Sequence, residues 1–222
     1  MKKIPKFAEL AYIIGIILMS LGTAFIEKSH FGQSMVVAPA YLVSLKVPNL
    51  TFGVAEYFTQ GFLLIVTCLV VRRFKLSYLF AFVTALLYGT TLDIWMNIIE
   101  PIVATDIFVR SGCFAVGFLL VSSGVALMFH SYLSPAVYEL FVKEVSKKFN
   151  IKISKFKTIF DLCCCVVALA MTFIFFGSLQ GIGVGSIFCA LLFGTTIGMF
   201  GNLFEKFIDF SPRFEKFSKH FN

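Results

Sequence analysis

Residues 86–100 read LLYGTTLDIWMNIIE, and residues 191–205 read LLFGTTIGMFGNLFE. Seven of the fifteen positions are identical: Leu86/Leu191, Leu87/Leu192, Gly89/Gly194, Thr90/Thr195, Thr91/Thr196, Asn97/Asn202 and Glu100/Glu205. The copies lie 105 residues apart, close to half of the 222-residue chain, so an internal repeat is the first organisation to test. The same shift carries Glu56 onto Asp161, both acids within apolar stretches. A shift of 102 carries Gly15 onto Gly117, Gly22 onto Gly124 and Ser29 onto Ser131. The three-residue difference falls in the lysine-rich stretch between about 136 and 156. Residues 1–106 and 107–208 therefore read as two copies of one membrane unit, followed by a tail over 209–222.

Composition sets the class. The mean hydropathy is +0.91, 59% of the residues are hydrophobic and only 14% are charged, where a soluble globular chain carries about a quarter charged residues. The chain reads as an all-α integral membrane protein with six to eight spans at roughly 20 residues each. The 29 phenylalanines suit lipid-facing surfaces. Cys68, Cys113, Cys163, Cys164, Cys165 and Cys189 lie in apolar runs without Cys-x-x-Cys spacing, so they read as small buried apolar groups and not as metal ligands. Lys2, Lys3 and Lys6 precede a long apolar run, which reads as an uncleaved first span.

Along the chain the spans are expected over about 8–26, 51–71, 76–99, 108–129, 158–176 and 186–205. Residues 34–46 and 134–146 are apolar but short, and each contains a proline, Pro39 or Pro135. Each reads as a re-entrant or interfacial helix. Phe207, Phe210, Phe214, Phe217 and Phe221 recur every three or four residues among charges, which predicts an amphipathic cytoplasmic tail helix interrupted at Pro212.

Charge gives the expected topology. With six crossings, 16 of the 19 basic residues share one side, and only Lys28, Lys46 and Arg110 lie on the other. Lysine and arginine mark the cytoplasmic side, so both termini are expected there. Eight crossings would put Arg72, Arg73 and Lys75 outside. Three crossings per unit make the copies opposite in orientation. Accordingly the cationic turn 72–75 of the first copy matches the neutral link 177–180 of the second. Inverted repeats recur in secondary transporters, whose sites lie at the repeat interface near mid-membrane.

Ionisable residues within spans are costly and usually turn to the bundle interior. Glu56 and Gln60 lie four apart on one helix face, Asp161 is the counterpart of Glu56, and Asp93 interrupts the repeat because Gly198 stands opposite it. These four are the expected lining of a polar site for a cation, a proton or a small polar solute, with Thr90, Thr91, Thr195 and Thr196 as further candidates. The Gly-Thr-Thr steps read first as close helix packing and second as helix breaks that offer backbone groups to a ligand. Residues 181–186 are glycine-rich but follow no strand, so they are no nucleotide loop. His30, His130 and His220 show no shared ligand spacing, and no catalytic constellation, cofactor site or metal site is indicated. The net charge of +7 follows from topology and anionic lipid, without nucleic acid.

Residues 181–187 (GIGVGSI) with Leu191–Gly194, together with Gly15 and Gly22, resemble the bacterial YczE/YyaS/YitT family of multi-pass membrane proteins, although Ser186 stands where that family leads one to expect threonine. The resemblance implies a bacterial inner-membrane protein and no particular substrate. Three functions suit the sequence: a small-solute or ion transporter, a membrane substrate-binding subunit that needs a separate energising partner, or a non-transporting accessory or scaffold protein. Besides the lipid bilayer, a second copy or a partner subunit fits these readings.

Overall fold

The computed structural model describes residues 7–133 and 136–212. Its helices are α1 (Ala8–Ser29), α2 (Ala38–Lys46), α3 (Phe52–Val71), α4 (Leu76–Ile99), α5 (Ile107–Phe129), α6 (Val137–Phe149), α7 (Ile153–Phe176) and α8 (Val184–Phe207). All but α2 and α6 hold apolar stretches of 20–24 residues, long enough to cross a bilayer, with mean hydropathy from 1.5 to 2.5. The chain is a multi-pass α-helical membrane protein.

Contacts between helices give their relative directions. α1 crosses α5 antiparallel, because Gly15 meets Gly124 while Gly22 meets Gly117. The crossing is tight: a Cβ on Gly22 would stand 2.6 Å from the Gly117 carbonyl oxygen, and one on Gly124 2.6 Å from that of Gly15. Two glycines seven residues apart leave a bare stripe two turns long, where backbones approach without a side chain between them. α1 runs parallel to α4: Tyr12 Oη bonds Thr84 Oγ1 at 2.6 Å, Tyr88 Oη donates to Thr23 Oγ1 at 2.9 Å, and Lys28 Nζ donates to the Glu100 carbonyl at 2.9 Å. α5 runs parallel to α8, with Phe118 stacked on Phe193 at 4.8 Å and His130 Nε2 bonded to Glu205 Oε1 at 3.0 Å. Had α2 and α6 also crossed the membrane, α1 would oppose α4 and follow α5. The observed directions require six crossings, so the eight-span alternative is set aside.

The two short helices run beside spanning helices from their middle to their end. The first N–H of α6, on Val137, donates to Gln60 Oε1 halfway along α3, and Lys148 Nζ reaches the Val70 carbonyl near the end of α3. In the same way Ala38 and Leu42 of α2 pack on Ala168 inside α7, and Lys46 Nζ donates to the Phe175 carbonyl near the end of α7. At 1.5 Å per residue, α6 starts about 15 Å along α3 from its end.

The two ends of the bundle differ in charge. Arg72, Arg73, Lys75, the lysines from Lys143 to Lys157 and Lys206 gather at the end where α3, α6 and α8 finish and α7 starts. Lys28, Lys46 and Arg110 occupy the other end. Each donates to a backbone carbonyl where a helix finishes: Lys28 to Glu100, Lys46 to Phe175, and Arg110 to Ser29 at 2.8 Å and His30 at 3.0 Å. A cation at a helix C-terminus satisfies free carbonyls and complements the macrodipole. The turns matched by the repeat also end their helices alike: Arg72 (φ 55) and Gly177 (φ 66) both adopt the left-handed conformation after α3 and α7. Residues 208–212 of the tail are not helical, and the Phe7 N–H donates to the Asp209 carbonyl at 3.2 Å. The expected amphipathic helix is therefore absent from that part, and residues 213–222 lie outside the described residues.

Candidate functional site

The site begins with the docking of α3 on α4. Thr51 precedes α3, and its Oγ1 accepts from the Val54 N–H at 3.2 Å as a helix cap. The same hydroxyl donates to Asp93 Oδ2 at 2.6 Å, and the Gly53 N–H donates to Asp93 Oδ1 at 2.7 Å. Asp93 of α4 thus holds the first turn of α3 with both carboxylate oxygens. A carboxylate there satisfies free N–H groups and suits the positive end of the helix. Gly53 packs directly on Gly89, where a Cβ on Gly53 would lie 1.9 Å from the Gly89 carbonyl oxygen.

Glu56 and Gln60 follow Gly53 at three and seven residues, on one helical face. They meet the start of α6. Gln60 Nε2 donates to Glu56 Oε2 at 3.1 Å, and Tyr138 Oη donates to the same oxygen at 3.1 Å. Gln60 Oε1 takes the Val137 N–H at 3.2 Å, capping α6. Glu56 is 0% exposed, Gln60 1% and Tyr138 7%. Glu56 Oε1 has no hydrogen-bond partner among the described residues, and no lysine or arginine there forms an ion pair with Glu56. Sequence alone allows that Glu56, near the start of its span, reaches interfacial water; the structure instead shuts it from solvent.

Asp161 stands across α6 from this cluster. It pairs with Lys157 at 2.7 Å, one turn back on α7, and its side chain is 33% exposed. Between the two acids lies α6, with Tyr138 on Glu56 and Glu139 within electrostatic reach of Lys157 and Asp161. The structure therefore brings Glu56 and Gln60 together, sets Asp161 on the far side of α6, and uses Asp93 to hold α3. The four threonines bond to their own helices: Thr90 to the Leu86 and Leu87 carbonyls, Thr91 to those of Leu87 and Tyr88, and Thr195 and Thr196 to that of Leu192. Gly89 is a packing glycine, as the first reading of the Gly-Thr-Thr step expects, whereas Gly194 has nothing within 4 Å.

Tyr138 is the member of the cluster that sequence reasoning missed. It lies 82 residues from Glu56, and no spacing rule links a spanning helix to a short one in the other half. Its signal was its place at the start of the short counterpart helix, beside Glu139.

No curated protein and no solved structure matches this chain. Residues 7–202 match a family of unknown function (DUF6198), and the chain belongs to that family.

Proposed function

We propose that this protein is a small membrane transporter for an ion or a small polar solute, built as a three-plus-three inverted repeat. The observation that carries the reading is Glu56: a carboxyl in a spanning helix, shut from solvent, with one oxygen unpartnered where the first half meets the second. An uncompensated charge at such a place costs several kcal/mol, so the carboxyl calls for a counter-charge, a bound proton or a cation. The inverted arrangement is supported by the antiparallel α1–α5 crossing, by the parallel α1–α4 and α5–α8 pairs, and by matched bonds at helix ends. Lys28 on Glu100 and His130 on Glu205 are equivalent under the two shifts of the repeat. α2 and α6 then act as re-entrant half-helices, entering from opposite faces and starting inside the membrane, an arrangement found at transporter sites. The cation-rich end is the cytoplasmic one, and kinship with the YczE/YyaS/YitT proteins belongs to the same proposal.

The test is flux in proteoliposomes. Protons, sodium, potassium and a panel of small polar solutes would be followed under an imposed potential or gradient. The expected result is flux above empty liposomes for at least one, lost in Glu56→Gln. Flux equal to empty liposomes throughout, or full flux in Glu56→Gln, would sink the proposal. Flux restored only with a co-purifying ATPase would favour the binding-subunit reading. Tags on the 72–75 turn and on the 143–157 stretch should report from the same face of the membrane.

A further inference from the structure

A second polar site lies at the opposite end of the bundle from the 72–75 turn. There the link after α1 pairs with the glycine link before α8: the Gln33 N–H donates to the Gly181 carbonyl and the Gly185 N–H to the Phe31 carbonyl, both at 2.8 Å. Gly32 has φ +98, and a Cβ on it would stand 2.3 Å from the Gly183 nitrogen, so only glycine fits this seam. Thr172 of α7, fully buried, fixes the far link by accepting from the Gln180 N–H at 2.7 Å and donating to the Ser178 carbonyl at 2.9 Å. Between these links, the end of α1 and α2 lies a cavity of about 310 Å³, within the size range of small-molecule sites.

Its lining has a definite chemistry. Among the described residues on the wall, Glu27 is the one acid, His30 stands beside it, and no lysine or arginine is present. Tyr41 Oη donates to Glu27 Oε1 at 3.2 Å, and the other carboxylate oxygen has no partner among the described residues. The Tyr41 hydroxyl is thus a donor that orients Glu27. Gln33 is 2% exposed, and its Nε2 has no hydrogen-bond partner among the described residues. Buried side-chain amides are normally satisfied. Leu45, Leu179 and Ile182 complete an apolar side.

We infer that this cavity binds a small organic cation bearing an amide or carbonyl group. Its protonated amine sits on Glu27, its amide pairs with Gln33, and its aliphatic part lies on Leu45, Leu179 and Ile182. A carboxylate suits the amine, and a carbonyl oxygen accepts from the unpartnered Gln33 Nε2. Binding here does not depend on the transport reading.

The test uses the purified full chain in detergent, with ligand binding read as a thermal shift and as Kd by calorimetry. The probes are L-leucinamide, isopentylamine (no amide) and 4-methylpentanamide (no amine). Leucinamide should bind about tenfold or more tighter than either fragment, since each charge-assisted or buried hydrogen bond carries at least that factor. Glu27→Gln should remove its advantage over 4-methylpentanamide, and Gln33→Met its advantage over isopentylamine. Should Gln33→Met fail to fold, the half-buried Glu27 arm decides alone. No shift with leucinamide, as expected of a cavity holding water only, or equal binding by wild type and Glu27→Gln, would overturn the inference. Glu56→Gln should keep leucinamide binding, which separates failure here from failure of the transport reading.

Discussion

α3 and α7 correspond in sequence under a shift of 105 residues, as do α4 and α8, yet only α3 and α4 pack together. α3 lies along α4, whereas α7 leans on α2 and α6 and makes no comparable contact with α8. The cause can be read residue by residue. Thr51, Gly53 and Asp93 join α3 to α4. Under the 105-residue shift their counterparts are Phe156, Thr158 and Gly198, which cannot form that junction. Gly194 and Gly198 accordingly meet nothing within 4 Å. Only 11% of the spanning windows of α7 and of α8 is buried within the chain, against half for α1 and α5. The long apolar faces of α7 and α8 are exposed on this chain. The comparison teaches that two stretches can share the Gly-Thr-Thr phrase while only one makes a close helix contact, because that contact rests on three other residues.

The largest expected effect breaks the packed pair. Gly53→Leu forces a side chain into the Gly89 backbone and should cost about 3 kcal/mol or more, read as a fall in Tm in detergent; Gly194→Leu should leave Tm nearly unchanged. Equal losses at the two sites would mean that α7 and α8 also pack closely. Next, Asp93→Ala removes two hydrogen bonds to a carboxylate and should cost about 2 kcal/mol. Its counterpart Gly198→Ala should be neutral or stabilising by about 0.5 kcal/mol, from helix propensity.

Smallest of all, Thr90→Val and Thr195→Val should each change stability by less than about 0.5 kcal/mol, since both hydroxyls bond only their own helix. A larger loss at Thr90 alone would give that threonine a role beyond its own helix.

Asp93 shows where sequence reading stops. The broken match with Gly198 singled Asp93 out as a candidate site residue, and in the fold Asp93 bonds Thr51 and Gly53. These partners, however, lie about forty residues away, and no spacing rule connects a residue late in one span to the first turn of another. Glu56 and Gln60 were legible as a pair because four residues bring side chains onto one helix face. Their third member, Tyr138, was not.

By itself the sequence determined the class, the eight helices of the described residues to within about five residues, and the lopsided distribution of cations, while it also predicted a tail helix that residues 208–212 do not form. These follow from local or summed properties: hydropathy over a span length, helical periodicity and charge count. Tertiary structure alone decided that α2 and α6 start beside the middle of spanning helices, that Asp93 holds α3, that Glu56 is sealed under Tyr138, and that a cavity opens beside Glu27 and Gln33. Each of these rests on groups dozens of residues apart in the chain, and only the packing of whole helices sets the distance between them.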